Sequence, residues 1–292
     1  MYKQINFAAL PKNIWTVLCA VCMIITNLLG LGGVSASSEV ELVKTDKIVL
    51  DEALFAGQGI TTDGEFYYTS GSITATKTNG LAKWTVEDFE LVNRKAQVIP
   101  QEYVDAHDSD HVGGISYYNG LIYAGVENGP NDFPLVITYD CESFDVVDVY
   151  EMPLEMLPDG IPWVAVDADN GFLYTSPFRD VEAILAFDLE TMEFDHAIPL
   201  SKEITRIQGG EVADGVLYLS YDKTKGDEEV LAVDVFTGEV STFCTRAVEG
   251  LGGNEAEDLT VFEMEDGSFI HVLDYDKAVG VRIEHYAVNE AK

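Results

Sequence analysis

Positive charge is scarce in this chain of 292 residues: 17 lysines and arginines face 51 aspartates and glutamates, a formal net charge of −34. A surface this acidic repels phosphate backbones, which excludes nucleic acid as a partner. It favours solubility and cations, and most of the acids read as solvated surface. Cysteine is scarce too: of four in all, Cys19 and Cys22 lie in an apolar N-terminal segment. Cys141 and Cys244 remain, too few for a disulfide framework. One bond between them would suit an oxidising compartment, but they fall in non-adjacent repeats, so free thiols are expected. No Pro- or Gly-rich linker divides the chain after its first 36 residues, and no long stretch there has helical periodicity. A Ser nucleophile elbow, a phosphate-cradling loop, a dinucleotide fingerprint and a Cys-rich metal motif are all missing.

The one long hydrophobic run comes first. Lys3 and Lys12 precede "IWTVLCAVCMIITNLLGLGGV", and the small residues of "VSAS" follow, the layout of a secretory signal cleaved after Ala36. Residues 14–34 are almost long enough to span a bilayer, so an uncleaved membrane anchor is the alternative. Neither Cys19 nor Cys22 has the preceding small residue of a lipoprotein site. The first 36 residues hold two lysines and no acid, which leaves residues 37–292 at −36. These form the expected mature domain, secreted or held at the cell surface as a monomer.

What the chain has in quantity is a repeat. A strand, a tight glycine turn and an aromatic strand recur in "QGITTDGEFYYTSGS", "GGISYYNGLIYAGVE", "WVAVDADNGFLYTSP", "GGEVADGVLYLSYD" and "EDLTVFEMEDGSFIHVLDYD". Their turn glycines, Gly64, Gly120, Gly171, Gly215 and Gly267, are 56, 51, 44 and 52 residues apart. Asp-Gly or Asn-Gly between alternating apolar residues is the strongest short hairpin signal. A second hairpin follows each first one, anchored at Trp84, Tyr139, Phe187, Val233 and Tyr286, with spacings of 55, 48, 46 and 53. Four antiparallel strands at this period predict an all-β fold, a five-bladed β-propeller. The fifth repeat lacks an outer strand, and "ELVKTDKIVLD" ahead of the first can supply it and close the ring. A β-sandwich is the alternative, but it does not require two hairpin types to alternate five times.

Strand direction then sorts the loops. The short turns share one face; "VIPQEYVDAHDSDHVGG", "LEMLPDGIPW", "LSKEITRIQGG" and "TRAVEGLGGNEAED" share the other, where binding residues tend to collect. The first residues of the five innermost strands converge there on the axis and bring Gln58, His111, Trp163, Gln208, Glu211, Glu255, Glu257 and Asp258 together, with paired glycines allowing close approach. Calcium takes six to eight oxygens, and Asp110, Glu211, Glu257 and Asp258 are the candidate metal ligands; solvated rim acids are the bland alternative. A zinc site from His107 and His111 is disfavoured, because that spacing puts both on one side only in a helix. For acid and base chemistry, His111 as proton carrier with Glu257 or Asp258, the carboxylate as its orienter or as a metal ligand, is the candidate catalytic pair. Gln58, Trp163, Arg206 and Gln208 are candidate ligand-binding residues, Trp163 as a stacking surface or as packing. Arg206 and Arg179 are cations able to orient an anionic group. His196, His271 and His285 fall on outer or middle strands and receive no role.

The repeat pattern resembles that of extracytoplasmic five-bladed propellers. "QGITTDGEFYYTSGS" resembles the first-blade motif of glutaminyl cyclase-type propellers, while the other blades lack the Trp-Gly and Asn-Glu signatures of that family. "NEAEDLT" looks like the Glu-rich strand start by which calcium-dependent propeller hydrolases hold their ion, matched here by Glu255, Glu257 and Asp258. The function expected is binding of a small molecule or extracellular protein at the loop-rich channel mouth, with calcium as the cofactor the acids admit. A metal-dependent hydrolase or cyclase at the same mouth and a non-catalytic interaction scaffold are the alternatives, and fold alone does not choose among them.

Overall fold

The computed structural model describes residues 39–48, 55–73, 76–222, 228–246, 254–276 and 280–289. The signal or anchor expected in residues 1–36 lies outside the described residues. Among them the strands run in chain order: β1 (Glu39–Ile48); β2 (Gly59–Thr62), β3 (Phe66–Ile73), β4 (Thr78–Thr85) and β5 (Leu91–Ala96); β6 (Ser109–Tyr118), β7 (Leu121–Asn128), β8 (Leu135–Asp140) and β9 (Val146–Glu151). Then follow β10 (Ala165–Asp167), β11 (Phe172–Thr175), β12 (Val181–Asp188) and β13 (Phe194–Ile204); β14 (Ile207–Ala213), β15 (Val216–Tyr221), β16 (Glu228–Asp234) and β17 (Val240–Arg246); and β18 (Asn254–Val261), β19 (Ser268–Asp276) and β20 (Gly280–Asn289). They make five four-stranded antiparallel sheets, the blades of a five-bladed propeller. β1 pairs antiparallel with β20, from Glu39 opposite Asn289 to Ile48 opposite Val281, and so completes blade five as the repeats predict.

Two kinds of turn make the blade. Between first and second strands, Asn119 and Gly120 both have positive φ, as do Asp214 and Gly215, the conformation that favours glycine. Between third and fourth strands the "YD", "FD" and "VD" repeats act through a carboxylate. Asp140 Oδ1 accepts from the backbone N–H of Glu142 and Ser143, Asp188 Oδ1 from Glu190 and Thr191, and Asp234 Oδ1 from Phe236 and Thr237. The next residue, Phe144, Met192 or Gly238, turns left-handed.

The core lies between blades. Val112, Ile115, Ile122 and Val126 of blade two pack with Tyr68 and Leu81 of blade one, and Trp163 packs with Ile207, Leu217 and Leu219 of blade four. Cys141 and Cys244 are buried and free, as expected. One segment read as loop contains a helix, α1 (Gln101–His107), ended by Asp108 in the left-handed conformation. "HDSDH" is thus split: His107 closes the helix, Asp108 caps it, and Ser109 to His111 begin the inner strand of blade two. Among the described residues no helix is long and apolar enough to cross a membrane.

Near the axis the inner strands meet backbone to backbone. Gly114 N–H donates to the Pro162 carbonyl at 2.8 Å, and a Cβ on Gly113 would stand 2.4 Å from that same oxygen.

Candidate functional site

The register of β18 against β19 slips between Ala256 and Leu259, so Glu257 and Asp258 leave the regular ladder. The bulge turns Asp258 into the hub of the ring. Its Oδ2 accepts from Ile60 N–H of blade one at 3.1 Å and from Ile115 N–H of blade two at 3.0 Å. Its Oδ1 accepts from Leu259 N–H at 2.8 Å, and the Gly210 N–H of blade four also bonds to the carboxylate. Gly209 makes room: a Cβ there would lie 1.9 Å from Asp258 Oδ1. Burial drives the Asp258 pKa up, and the four backbone donors oppose it, since they can serve only lone pairs.

Glu257 stands one residue nearer the loop-rich face. Its side chain is buried, and its Oε1 is 3.5 Å from Gln58 Nε2, its hydrogen-bond partner among the described residues. Burial, followed by the charges of Glu255, Asp222, Asp274 and Asp258, raises its pKa well above the ordinary carboxylate range. Among the described residues, Arg206 pairs with Asp222, and Arg246 holds Asp274 through two bonds of 2.6 Å.

Glu211 occupies the other side of the hub. Its Oε2 is 3.4 Å from the hydroxyls of both Thr61 and Thr260, and burial with the Asp258 charge pushes its pKa well up. It borders a cavity of about 220 Å³ on the short-turn face, with Tyr117, Asp167, Asp169 and Asp214. A second cavity, about 580 Å³, lies between blades one and five on that face, against Lys44, Phe262 and Met264.

His111 is not joined to Glu257. Burial alone lowers its pKa, to about 4, and the residue opposite it across β6 and β7 is Glu127. Glu127 was not singled out in the sequence. Burial raises its pKa to about 7, opposed by a bond from the Ile161 N–H and assisted by the Asp159 charge. Its Oε1 is buried without a hydrogen-bond partner among the described residues and rests on Gly160, where a Cβ would be 2.0 Å away.

The remaining candidates separate. Trp163 offers no surface to a ligand: it is fully buried and donates from Nε1 to Ser176 Oγ at 3.0 Å, so the stacking role is corrected to packing. Asp110 is buried in blade two, raised by burial and by Asp108, with Lys77 opposing. The His107 ring stacks on Phe133 with centroids 3.5 Å apart. Gln58, Arg206 and Gln208 are partly buried at the loop-rich starts of their strands, and Arg206 lies over the Phe178 ring at 5.3 Å. Arg179 is exposed, its backbone N–H held by Asp159. Among the described residues, no three His, Cys, Asp or Glu side chains converge as a metal-binding group.

No family model matches the chain, and no curated protein matches it. Solved propeller-like structures do. A luciferin-regenerating enzyme aligns with a TM-score of 0.50 at 12% identity, covering 84% of this chain and 95% of that one. The hydrazine synthase of Kuenenia stuttgartiensis aligns with a TM-score of 0.45 at 15% identity, covering 86% of this chain and 67% of that one. At such identity the likeness to these proteins concerns the fold alone.

Proposed function

We propose that the protein is an exported propeller that binds a small organic cation at the loop-rich end of its axis, with Glu257 as the anchoring carboxyl. The observation that carries this is Glu257 itself, 3% exposed, set among four other acids and held by one long bond from Gln58. Burying a polar group without a good partner costs roughly 1 to 3 kcal/mol, and groups kept in so perturbed a state gather at functional sites. Among the described residues Arg206 and Arg246 pair with Asp222 and Asp274, and the proposal assigns the charge that pairs with Glu257 to the ligand.

An organic ammonium suits this position better than calcium. Calcium needs at least about six oxygens, whereas Asp258 gives its own to backbone N–H groups and Glu211 lies beyond it. The overall charge of −34 draws cations from a distance. The hydrolase or cyclase alternative relies on His111 beside Glu257 and finds no support in the placement of His111 opposite Glu127.

Thermal unfolding with tetramethylammonium, choline or spermidine tests the proposal. At least one is expected to raise the midpoint of the wild type, and Glu257→Gln is expected to abolish that rise. A rise that survives Glu257→Gln, or none with any of the three, would refute it.

A further inference from the structure

Blade five holds a line of hydrogen bonds that the axial site does not use. His271 of β19 and His285 of β20 stand opposite each other, both buried, with their Nδ1 atoms 2.6 Å apart. The outer nitrogen of His271, Nε2, is 2.8 Å from the Phe262 carbonyl oxygen. That of His285 is 3.2 Å from Asp46 Oδ2. Asp46 belongs to β1, the closing strand, where Lys44 Nζ lies 2.9 Å from the same oxygen. Tyr67 of blade one brings its hydroxyl within 3.2 Å of His271 Nδ1.

Donors and acceptors assign the protons along this line. A carbonyl only accepts, so His271 Nε2 carries a hydrogen. Burial lowers the His271 pKa to about 4, which leaves the ring neutral near pH 7 with a single lone pair on Nδ1. The Tyr67 hydroxyl has a second acceptor in Met264 Sδ at 3.5 Å, and the shorter contact of 2.6 Å gives that lone pair to His285. The hydrogen in the contact between rings therefore belongs to His285. Asp46 lies below its ordinary range: burial raises it, but the bonds and charges of His285 and Lys44 together outweigh burial. An ionised Asp46 also only accepts, so the second nitrogen of His285 donates as well.

We propose that His285 is a proton-binding site that latches the ring: as an imidazolium between neutral His271 and the Asp46 carboxylate, it ties β1 to blade five. The titratable and charged groups facing the pair are Asp46 and Lys44 from β1, Asp266 from the turn between β18 and β19, and Tyr67 from β3. A proton added to His271 sets two cationic rings against each other with no lone pair between them. The latch therefore opens on the acid side, as His271 takes up a proton.

The acid edge has a definite sign. His271 titrates near 4 in the fold and near 6.5 when unfolded, so between these values the unfolded chain binds more protons. The contribution of neutral His271 is complete above the upper value and is lost as pH falls to the lower one.

Two measurements test the latch on the purified protein. Histidine nitrogen NMR at neutral pH should show both nitrogens of His285 protonated and His271 protonated on Nε2 alone; a neutral His285 ring would overturn the proposal. Hydrogen exchange of the β1 amides, corrected for its intrinsic pH dependence, should show opening rise at least about tenfold as His271 takes up its proton. His271→Gln keeps an acceptor and a donor but does not titrate, and it should lose that acid rise. An unchanged rise in the variant would equally overturn the latch.

Discussion

Asp258 shows at the level of a single residue how a carboxylate can be structural in a position that looks catalytic. Four backbone N–H groups from four blades end on it, and an Asn in its place would offer one acceptor oxygen and aim an amide donor at donors. Asp258→Asn should cost roughly 2 to 5 kcal/mol in urea unfolding. Gly209→Ala should cost a similar amount, because the added Cβ would also meet the Asp258 Cα at 2.4 Å, and backbone does not yield cheaply. Glu257→Gln should do the reverse in the absence of ligand. Its folded pKa is raised, so the stability it contributes is whole below its ordinary value of 4.5 and declines as pH rises above that. The Gln variant should lack that decline and unfold later than the wild type at neutral pH. The place of Glu257 and Asp258 at the start of an innermost strand was legible from strand order, but not that Asp258 is the hub and that Glu257 has only one long bond from Gln58 among the described residues. The partner of His111 was not legible either. Counting outward from the Asn119 turn pairs it with Asn128, and the bulge between Val112 and Ile115 shifts the register to Glu127.

Strands and turns were read more surely than side chains, because a turn needs particular residues whatever surrounds it. The Asn-Gly and Asp-Gly pairs supplied the positive φ values, and the Asp that ends the third strand of blades two, three and four caps its own turn. The seven residues of α1 escaped notice: they are too few to show a period, and the helix starts after Pro100 with no side-chain cap. The closing strand was legible by subtraction, since repeat five shows three strands and "ELVKTDKIVLD" stands unpaired ahead of repeat one. Its importance can be measured. Deleting residues 39–48 leaves the outer edge of β20 without its partner, and an open edge of that kind pairs with other chains. The deletion protein should form larger species in size-exclusion chromatography; a stable monomer with an unchanged unfolding midpoint would show that β1 does not close the ring.

At the scale of the whole molecule, repeat number and strand direction were enough for the blade count and for the division into a short-turn face and a long-loop face. Where the space lies was not legible. Both described cavities open on the short-turn face, while the long segment before blade three folds inward, with Pro162 against Gly113 and Trp163 against Gly114. Long loops here fill the mouth as well as frame it. At the loop-rich end stands a buried carboxyl set among other acids, in a molecule whose net charge is −34. The most direct test is calorimetric titration at neutral pH with whichever ammonium ligand stabilises the protein, in two buffers of different ionisation enthalpy. A cation that ionises Glu257 should release up to about one proton per ligand, and Glu257→Gln should bind at least about tenfold more weakly without proton release. Binding with no proton release, or with full affinity in Glu257→Gln, would contradict a cation site at the axis.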